Sequence, residues 1–502
     1  MLPFNLGALI DRNADGDRPL LIDCDNWDAP RTWTGNALED EADGLARGLV
    51  ATGLAPGDRV AILAANRAEY LAAYYATMRA GLVSVPVNTK LPTETITYVL
   101  EDSGAKLAFV DHAGRDRVGA LETVVFGSAE YQALKDPGPF EPVRPSDDAV
   151  AMFLYTSGST GKPKGVPLTH RGHLWVIEKR FQPGVDYRAQ RMLVAAPLYH
   201  MNGLAMCKFA AVAGATIVLL PQFTPERYIG AIERFSCTWI TSVPTMLALV
   251  TQRPELLANT DVSSVESVRM GSAPVTAELL RRVAEAFPDA KTQIGYGTTE
   301  AGPVAFGPHP EGLPLPPLAL GFPHPEVRVR LTRDGQHDVD EGVLEMDCPV
   351  LTPGYHNLPE KTAGVMSEDG FYFTGDVMRR DENGFYFFVG RDDDMFVCNG
   401  ENVFPEEVER LLESHESVAQ ACVVPVADEV RGHMPVAFVV PAEEQTPDQD
   451  TLKAYTIEHG PAYQHPRFIF TRTELPLAGT NKVDRQQLIR DAVADLRDRR
   501  TG

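Results

Sequence analysis

The run Tyr155-Thr-Ser-Gly-Ser-Thr-Gly-Lys-Pro-Lys-Gly165 constrains this chain more than any other feature. It follows the apolar stretch Ala-Val-Ala-Met-Phe-Leu at 149–154, which reads as a buried strand. The glycines let backbone approach an anion closely, hydroxyls and amides supply donors, and Lys164 adds a point charge. A strand that feeds such a loop predicts a phosphate-holding site at the edge of a sheet. A Walker loop is excluded, because Gly158 is followed by Gly161 and by Lys162-Pro163.

Strand and helix signals alternate around this loop. Residues 38–54 carry apolar positions at helical spacing and end at glycine; the run at 58–66 reads as a buried strand, 67–81 as a helix and 82–88 as a strand. The alternation continues to about residue 300 and predicts layered α/β structure with parallel strands. From about 325 to 390 short runs separated by Gly, Asp and Asn predict antiparallel hairpins instead. The acidic triplet 392–394 is a candidate linker. Beyond it a helix is expected at 405–415, strands at 418–428 and 435–443, and helices at 450–460 and 483–496. The expected fold class is α/β: a large N-terminal domain over 1–391, built of α/β layers and a β-rich part, and a small α+β C-terminal domain over 392–502.

Charge and cysteine usage narrow the function classes. The net charge of −23 offers no basic footprint, so no nucleic acid is expected as a partner. An anionic ligand must then be held by local cations and backbone dipoles. The six cysteines are dispersed and form no C-x-x-C pair, as in a chain from a reducing compartment. The first residues lack the basic and apolar regions of a signal peptide. The longest apolar stretch, 209–220, falls short of the roughly 20 residues a membrane span needs. No membrane span and a cytoplasmic location are expected.

Ser159-Thr-Gly-Lys162 matches the S-x-x-K of serine β-lactamases, but the S-D-N and K-T-G elements are absent. Further motifs follow the loop in order: Pro-Leu-Tyr-His-Met-Asn-Gly at 197–203, Met-Gly-Ser-Ala-Pro-Val at 270–275, Gly-Tyr-Gly-Thr-Thr-Glu at 295–300 and Thr-Gly-Asp at 374–376. Gly-Arg-Asp-Asp-Asp at 390–394, Asn-Gly-Glu-Asn-Val-Phe-Pro-Glu-Glu-Val-Glu at 399–409 and Leu-Ala-Gly-Thr-Asn-Lys-Val-Asp-Arg at 477–485 complete the series. With these, nearly the whole chain resembles the AMP-forming acyl- and aryl-CoA synthetases of the adenylate-forming superfamily, which also holds peptide-synthetase adenylation domains and luciferases.

The resemblance implies ATP, Mg2+ and coenzyme A as cofactors and a small carboxylic acid as substrate. Thr156, Ser157, Gly158, Ser159, Thr160 and Lys164 would hold the β- and γ-phosphates. Tyr296 would stack on adenine, with Gly271, Ser272 and Ala273 lining the nucleotide's other side. Thr299 would contact the α-phosphate, and Glu300 would ligate Mg2+. Asp376, with Arg391, would accept the ribose hydroxyls, and Lys482 would reach the carboxylate and α-phosphate oxygens. The C-terminal domain would rotate about the hinge Asp393. One orientation would deliver Lys482 to the adenylate, the other the loop at Asn399 and Gly400 to the CoA tunnel, with His200 as its gate. Dimerisation is common in the family, so the resemblance is compatible with a homodimer.

The chain departs from the family's pattern at Val397, where a Lys is frequent, at Asn399-Gly400 for Gly-Gly, at Asn481-Lys482 for Gly-Lys and at Gly342-Val343 for Gly-Glu. The first two bear on the thioester half-reaction. The acid pocket is expected from Met201, Asn202, Met206, Trp239, Met246, Val304, Ala305 and Phe306. No Lys or Arg is evident there for a second carboxylate, and Arg269, in a strand-like run, reads as a poor candidate. An apolar monocarboxylate follows as the expected acid, either aryl (hydroxycinnamate or benzoate type) or medium-chain. Two alternatives stand beside the CoA ligase: a stand-alone enzyme that loads a carrier protein's phosphopantetheine, and a catalytically silent nucleotide-binding protein.

Overall fold

The computed structural model describes residues 3–156, 162–428, 431–443, 445–461, 463–479 and 481–501. Among them two largely parallel sheets form the N-terminal layers. One runs in the order Lys291–Gly295, Ser267–Gly271, Trp239–Ser242, Arg191–Val194, Thr216–Leu219, Pro19–Asp23, Arg31–Thr34. The other runs Glu122–Val125, Ala105–Val110, Arg59–Leu63, Val83–Pro86, Val150–Thr156, Lys164–Thr169. Each departs from the all-parallel expectation at one edge. Arg31–Thr34 and Lys164–Thr169 return by short connections and pair antiparallel, since a parallel pairing needs a long crossover.

Side-chain alternation along the strands sorts the layers. Leu21, Ile217, Val60 and Ile62 face one shared core together with the helices Gly35–Ala51, Ala68–Arg79 and Met201–Ala213. Their neighbours Ile22, Val218 and Ile240 face a second core under the helices Pro225–Phe235, Pro244–Thr251 and Ala277–Ala286. Ala61, Leu63 and Val110 face a third, which the helix Thr93–Ser103 covers. The layers thus run helix, sheet, helix, sheet, helix. Ala68–Arg79 is apolar on all sides and buried along its whole length, as a central helix must be. Its one cation, Arg79, is 1 % exposed and pairs with Glu39 at 2.6 Å and with Asp43, both from the helix Gly35–Ala51.

Residues 306–391 form an antiparallel sheet that includes Ala319–Pro323, Tyr386–Arg391, Tyr372–Arg380, Glu341–Asp347 and Arg328–Arg333. The last sheet pairs Phe396–Cys398, Gly432–Pro441 and Val418–Asp428 antiparallel and adds Phe468–Thr471 in parallel. Helices Pro405–Glu413 and Gln449–His459 lie against one face, and Arg485–Thr501 lies against the other. The fold is mixed α/β, with a large N-terminal part and a small C-terminal one. No helix among the described residues is long and apolar enough to cross a membrane.

The two parts meet through polar contacts. Arg410 donates to the carbonyls of Phe388 and Val389 at 3.0 and 2.8 Å, and Arg282 donates to that of Ala419 at 2.7 Å. Glu413 is buried at this contact, where it accepts from the Ala421 amide at 2.9 Å. Burial pushes its carboxyl up to about 7. A raised folded-state pKa stabilises fully below the unfolded value, near 4.5, and that stability is lost as the pH climbs through about 7. Glu413→Gln should therefore raise the melting temperature by a few degrees at pH 8 and leave it nearly unchanged at pH 5. Equal effects at both pH values in thermal melts would refute this.

Candidate active site

Ligands of open α/β sheets gather at the carboxyl ends of the parallel strands. Here both parallel sheets aim those ends at one cavity of about 1560 Å³. One sheet contributes Ala196–His200, Val243–Thr245, Gly271–Val275 and Gly295–Glu300, each of which follows a strand end; the other contributes Val87, Asn88 and Thr156. The antiparallel sheet adds Asp376 and Arg391, and the C-terminal part adds Lys482. Residues from nine separate segments thus share one space.

Register places the acid-base pair of this cavity. Asp376 and Arg391 are directly opposed on neighbouring antiparallel strands, and Nη1 of Arg391 donates to Oδ1 of Asp376 at 2.8 Å. The Tyr296 hydroxyl donates to Oδ2 at 2.5 Å. Each carboxylate oxygen keeps a second acceptor site. Gly375 precedes the aspartate at φ 74°, a turn that favours glycine, and a Cβ there would stand 3.1 Å from Nη2 of Arg391. Arg391 also forks onto Asp393 at 2.7 and 2.9 Å. Burial opposes its charge, but Asp393 and Asp376 outweigh that and hold the guanidinium above its ordinary range.

Thr156 and Lys164 stand at the two ends of the glycine-rich loop. Ser157, Gly158, Ser159 and Thr160 lie outside the described residues. Among the described residues the buried Thr156 hydroxyl has no hydrogen-bond partner, and Lys164 reaches the Tyr355 hydroxyl at 3.3 Å. Enclosure lowers the Lys164 pKa, helped by Lys361 and Arg391 and opposed by Glu300. Tyr355 in turn donates to Oε1 of Glu300 at 3.0 Å; sequence reasoning missed this tyrosine, which sits in no motif. Among the described residues no three His, Cys, Asp or Glu side chains could cage a metal. Glu300, 7 % exposed and on the cavity, is a single hard oxygen donor. That suits Mg2+, which takes one or two carboxylates and fills its shell with phosphate oxygens and water.

Lys482 rides on a small hairpin closed by the Leu477–Val483 bridge and by the Ala478 amide on the Lys482 carbonyl at 2.7 Å. The Tyr199 hydroxyl donates to the Gly479 carbonyl at 3.0 Å, and Lys90 reaches Asn481 at 3.4 Å. The lysine projects into the cavity. Enclosure lowers its pKa; Arg391 adds to that, while Asp376 and Asp394 oppose it. His200 lies near it with a buried Nε2 that has no hydrogen-bond partner among the described residues. Burial, then Lys482 and Lys90, hold that imidazole neutral with a pKa near 3.

Thr299, Gly271, Ser272, Ala273, Met201 and Asn202 also line the cavity. Other expected positions do not. Trp239 is 6 % exposed and packs 6.3 Å from Tyr187 in the shared core, because its strand turns that face inward. Val304 and Ala305 are core residues of the antiparallel sheet. Phe306 packs against Tyr296 and Tyr386 at 5.8 and 5.1 Å. Met206 and Met246 are buried at 1 % exposure, and neither lines the cavity. Asn399 and Gly400, with φ of 56° and 86°, form the exposed tip of a two-residue hairpin and lie off the cavity in this orientation.

The reading of a pocket free of cations is overturned. Arg180 and Arg269 both line the cavity. Arg269 alternates with Val268 and Met270, which fill the core, so its side chain takes the opposite face of the strand. Arg180 follows the last turn of the helix His170–Lys179, a position that no motif marks.

Two family models and several known proteins match this chain. Residues 10–356 match the model of the AMP-binding enzyme family, and 407–482 match that of the AMP-binding enzyme C-terminal domain. A feruloyl-CoA synthase of Amycolatopsis sp. is 34% identical over 88% of this chain and 90% of its own length. A fatty acid–[acyl-carrier-protein] ligase of Streptomyces coeruleorubidus is 32% identical over 91% of each chain. The crystal structure of an anthranilate CoA ligase in complex with anthranoyl-AMP superposes with a TM-score of 0.87 at 25% identity, over 98% of both chains.

Proposed function

The chain belongs to the AMP-binding enzyme family and is an AMP-forming acyl-CoA ligase, and from that premise we propose how its residues perform the reaction and on which acid. The acid's carboxylate oxygen bonds to the α-phosphorus of ATP while the bond to the bridging oxygen breaks and pyrophosphate leaves. The thiol of coenzyme A then adds to the acyl carbon, the carbon–oxygen bond to AMP breaks, and a thioester forms.

In the first step Asp376 accepts the ribose hydroxyls through its two free acceptor sites, and Arg391 and Tyr296 hold it in place. Tyr296 also offers its ring to the adenine, beside Gly271, Ser272 and Ala273. Lys164, Thr156 and the loop 157–160 take the β- and γ-phosphates, and Thr299 takes the α-phosphate. Mg2+, held by Glu300 and the phosphates, would supply charge neutralisation. Lys482 stands where the carboxylate and α-phosphate meet, and its ammonium offsets the charge that crowds there. The neutral His200 adds no repulsion to Lys482 and can swing without moving a charge out of water, which suits a gate for the pantetheine arm. We divide the chain at 391/392, with Asp393 as the hinge that exchanges Lys482 for the Asn399–Gly400 tip between the two steps.

One observation carries this reading: motif residues separated by more than 300 positions, Thr156 to Lys482, line a single cavity. The similarity to a feruloyl-CoA synthase and an anthranilate CoA ligase supports an acid with an apolar or aryl body, against lining such as Met201, Val243 and Ala248. The restriction to a monocarboxylate is not kept, because Arg180 and Arg269 stand on the same lining. The test is pyrophosphate release with ATP and Mg2+ over aryl, short and medium-chain acids, with and without coenzyme A. Sustained release that requires coenzyme A is expected. Release that stops near one equivalent with coenzyme A present would replace it as acceptor by a carrier protein, and none with any acid would favour silent nucleotide binding.

A further inference from the structure

Two guanidinium groups, those of Arg180 and Arg269, line the cavity close enough to repel each other, with no carboxylate partner among the described residues. Arg269 leaves the strand Ser267–Gly271 on the face away from the core. It lies against Gly295 of the next strand, where a Cβ would stand 2.9 Å from both Nε and Nη2. The missing side chain at 295 leaves room for the guanidinium where it lies. Arg180 stands over the ring of Phe209 at 5.0 Å and donates to the Ala205 carbonyl at 3.2 Å. Met201, Asn202, Ala205 and Thr241 line the cavity around them. Among the described residues no carboxylate acts on either arginine; beyond burial, Arg180 feels the repulsion of Arg269, opposed by Tyr187. A third cation, Lys208, lies 1 % exposed with its Nζ 3.3 Å from Nδ1 of His173, and no carboxylate among the described residues pairs with it.

Unpaired buried cations are costly, and a chain of net charge −23 has carboxylates to spare for pairing them. Burial pushes all three cations down, Lys208 to about 7 with Arg180 adding to the effect, in line with cations that lack an anionic partner among the described residues. The phosphates of ATP have their own partners in Lys164, Thr156 and Lys482, on other elements. The remaining ligand is the acid. A planar guanidinium fork matches a carboxylate or sulfonate with two parallel hydrogen bonds.

We propose that Arg269, with Arg180 beside it, binds a second anionic group on the acid, so that the acid this enzyme activates is a dianion. This rests on the ligase reading above. One anionic end faces Lys482 and reacts, while the other is held by the arginines and fixes the reach of the molecule between them. The arginines touch the acid and set its class; they take no part in bond making.

The experiment compares matched acids that differ only in the far group: pentanoate with glutarate, and benzoate with isophthalate and 3-sulfobenzoate. Pyrophosphate release is followed for the wild type, Arg269→Met and Arg269→Lys. The wild type should favour the dianion of at least one pair by about 100-fold in kcat/KM, the scale of a buried charge pair. Arg269→Met should erase that preference, mainly through KM, and Arg269→Lys should keep part of it. Arg269→Met should also melt no lower than the wild type, since an uncompensated buried charge is removed. A wild type that prefers the monoanions, or an Arg269→Met that loses both classes alike, overturns the dianion while leaving the ligase intact. Release with no acid of either class overturns the ligase reading, and this inference with it.

Discussion

Lys482→Ala is expected to slow acyl-adenylate formation by about 10²–10³-fold, the loss seen when one preorganised charge-stabilising donor is removed. The ammonium is held at the cavity by the Leu477–Val483 hairpin, and that hairpin is held by Tyr199 and Lys90. Positioning is therefore set before substrates arrive, and no reorganisation is needed as charge gathers between the carboxylate and the α-phosphate. The proposed second step does not use this lysine. Thioester formation from chemically prepared acyl-adenylate and coenzyme A should thus stay within a few-fold of the wild type. Equal loss of both steps in single-turnover measurements would sink the two-orientation reading. Unchanged adenylation would remove Lys482 from the mechanism.

Asp376→Asn is the second large effect. Both oxygens of the carboxylate already accept from Arg391 and Tyr296, and the residue is 6 % exposed. An amide offers one acceptor atom and an NH2 group with two donors, so it cannot accept from both partners and from two ribose hydroxyls. Breaking a buried, hydrogen-bonded charge pair costs about 2–5 kcal/mol, so kcat/KM for ATP should fall by at least about 30-fold and mainly through KM. Arg391 keeps Asp393 as a partner, which limits the damage to folding. Unchanged ATP affinity, by kinetics or calorimetry, would show that the ribose binds elsewhere.

Much of this site was legible before any coordinates. Strand and helix alternation placed the layers, and ordered motifs marked Thr156, Lys164, Tyr296, Glu300, Asp376, Arg391 and Lys482, which the fold brings to one cavity. Motifs of this kind are contiguous, because a glycine turn or a strand end positions its residues locally. The acid pocket is assembled differently, from single side chains on elements far apart in sequence. Parity along Ser267–Gly271 separates Arg269 from Val268 and Met270, but parity alone does not say which face meets the core. The same ambiguity put Trp239 in the pocket when its side chain belongs to the core. Arg180 and Tyr355 carried no local signal, and only packing reveals them.

The seat of Arg269 bears on how finely the proposed anion site can be tuned. The guanidinium lies where Gly295, on the neighbouring strand, has no side-chain carbon. With alanine at 295, the tip of the arginine would have to move aside, while its charge would stay on the cavity. Under the dianion proposal, the aim of the cation is then set by a second position, visible only as a missing methyl group, and neither position touches the residues proposed to activate the carboxylate.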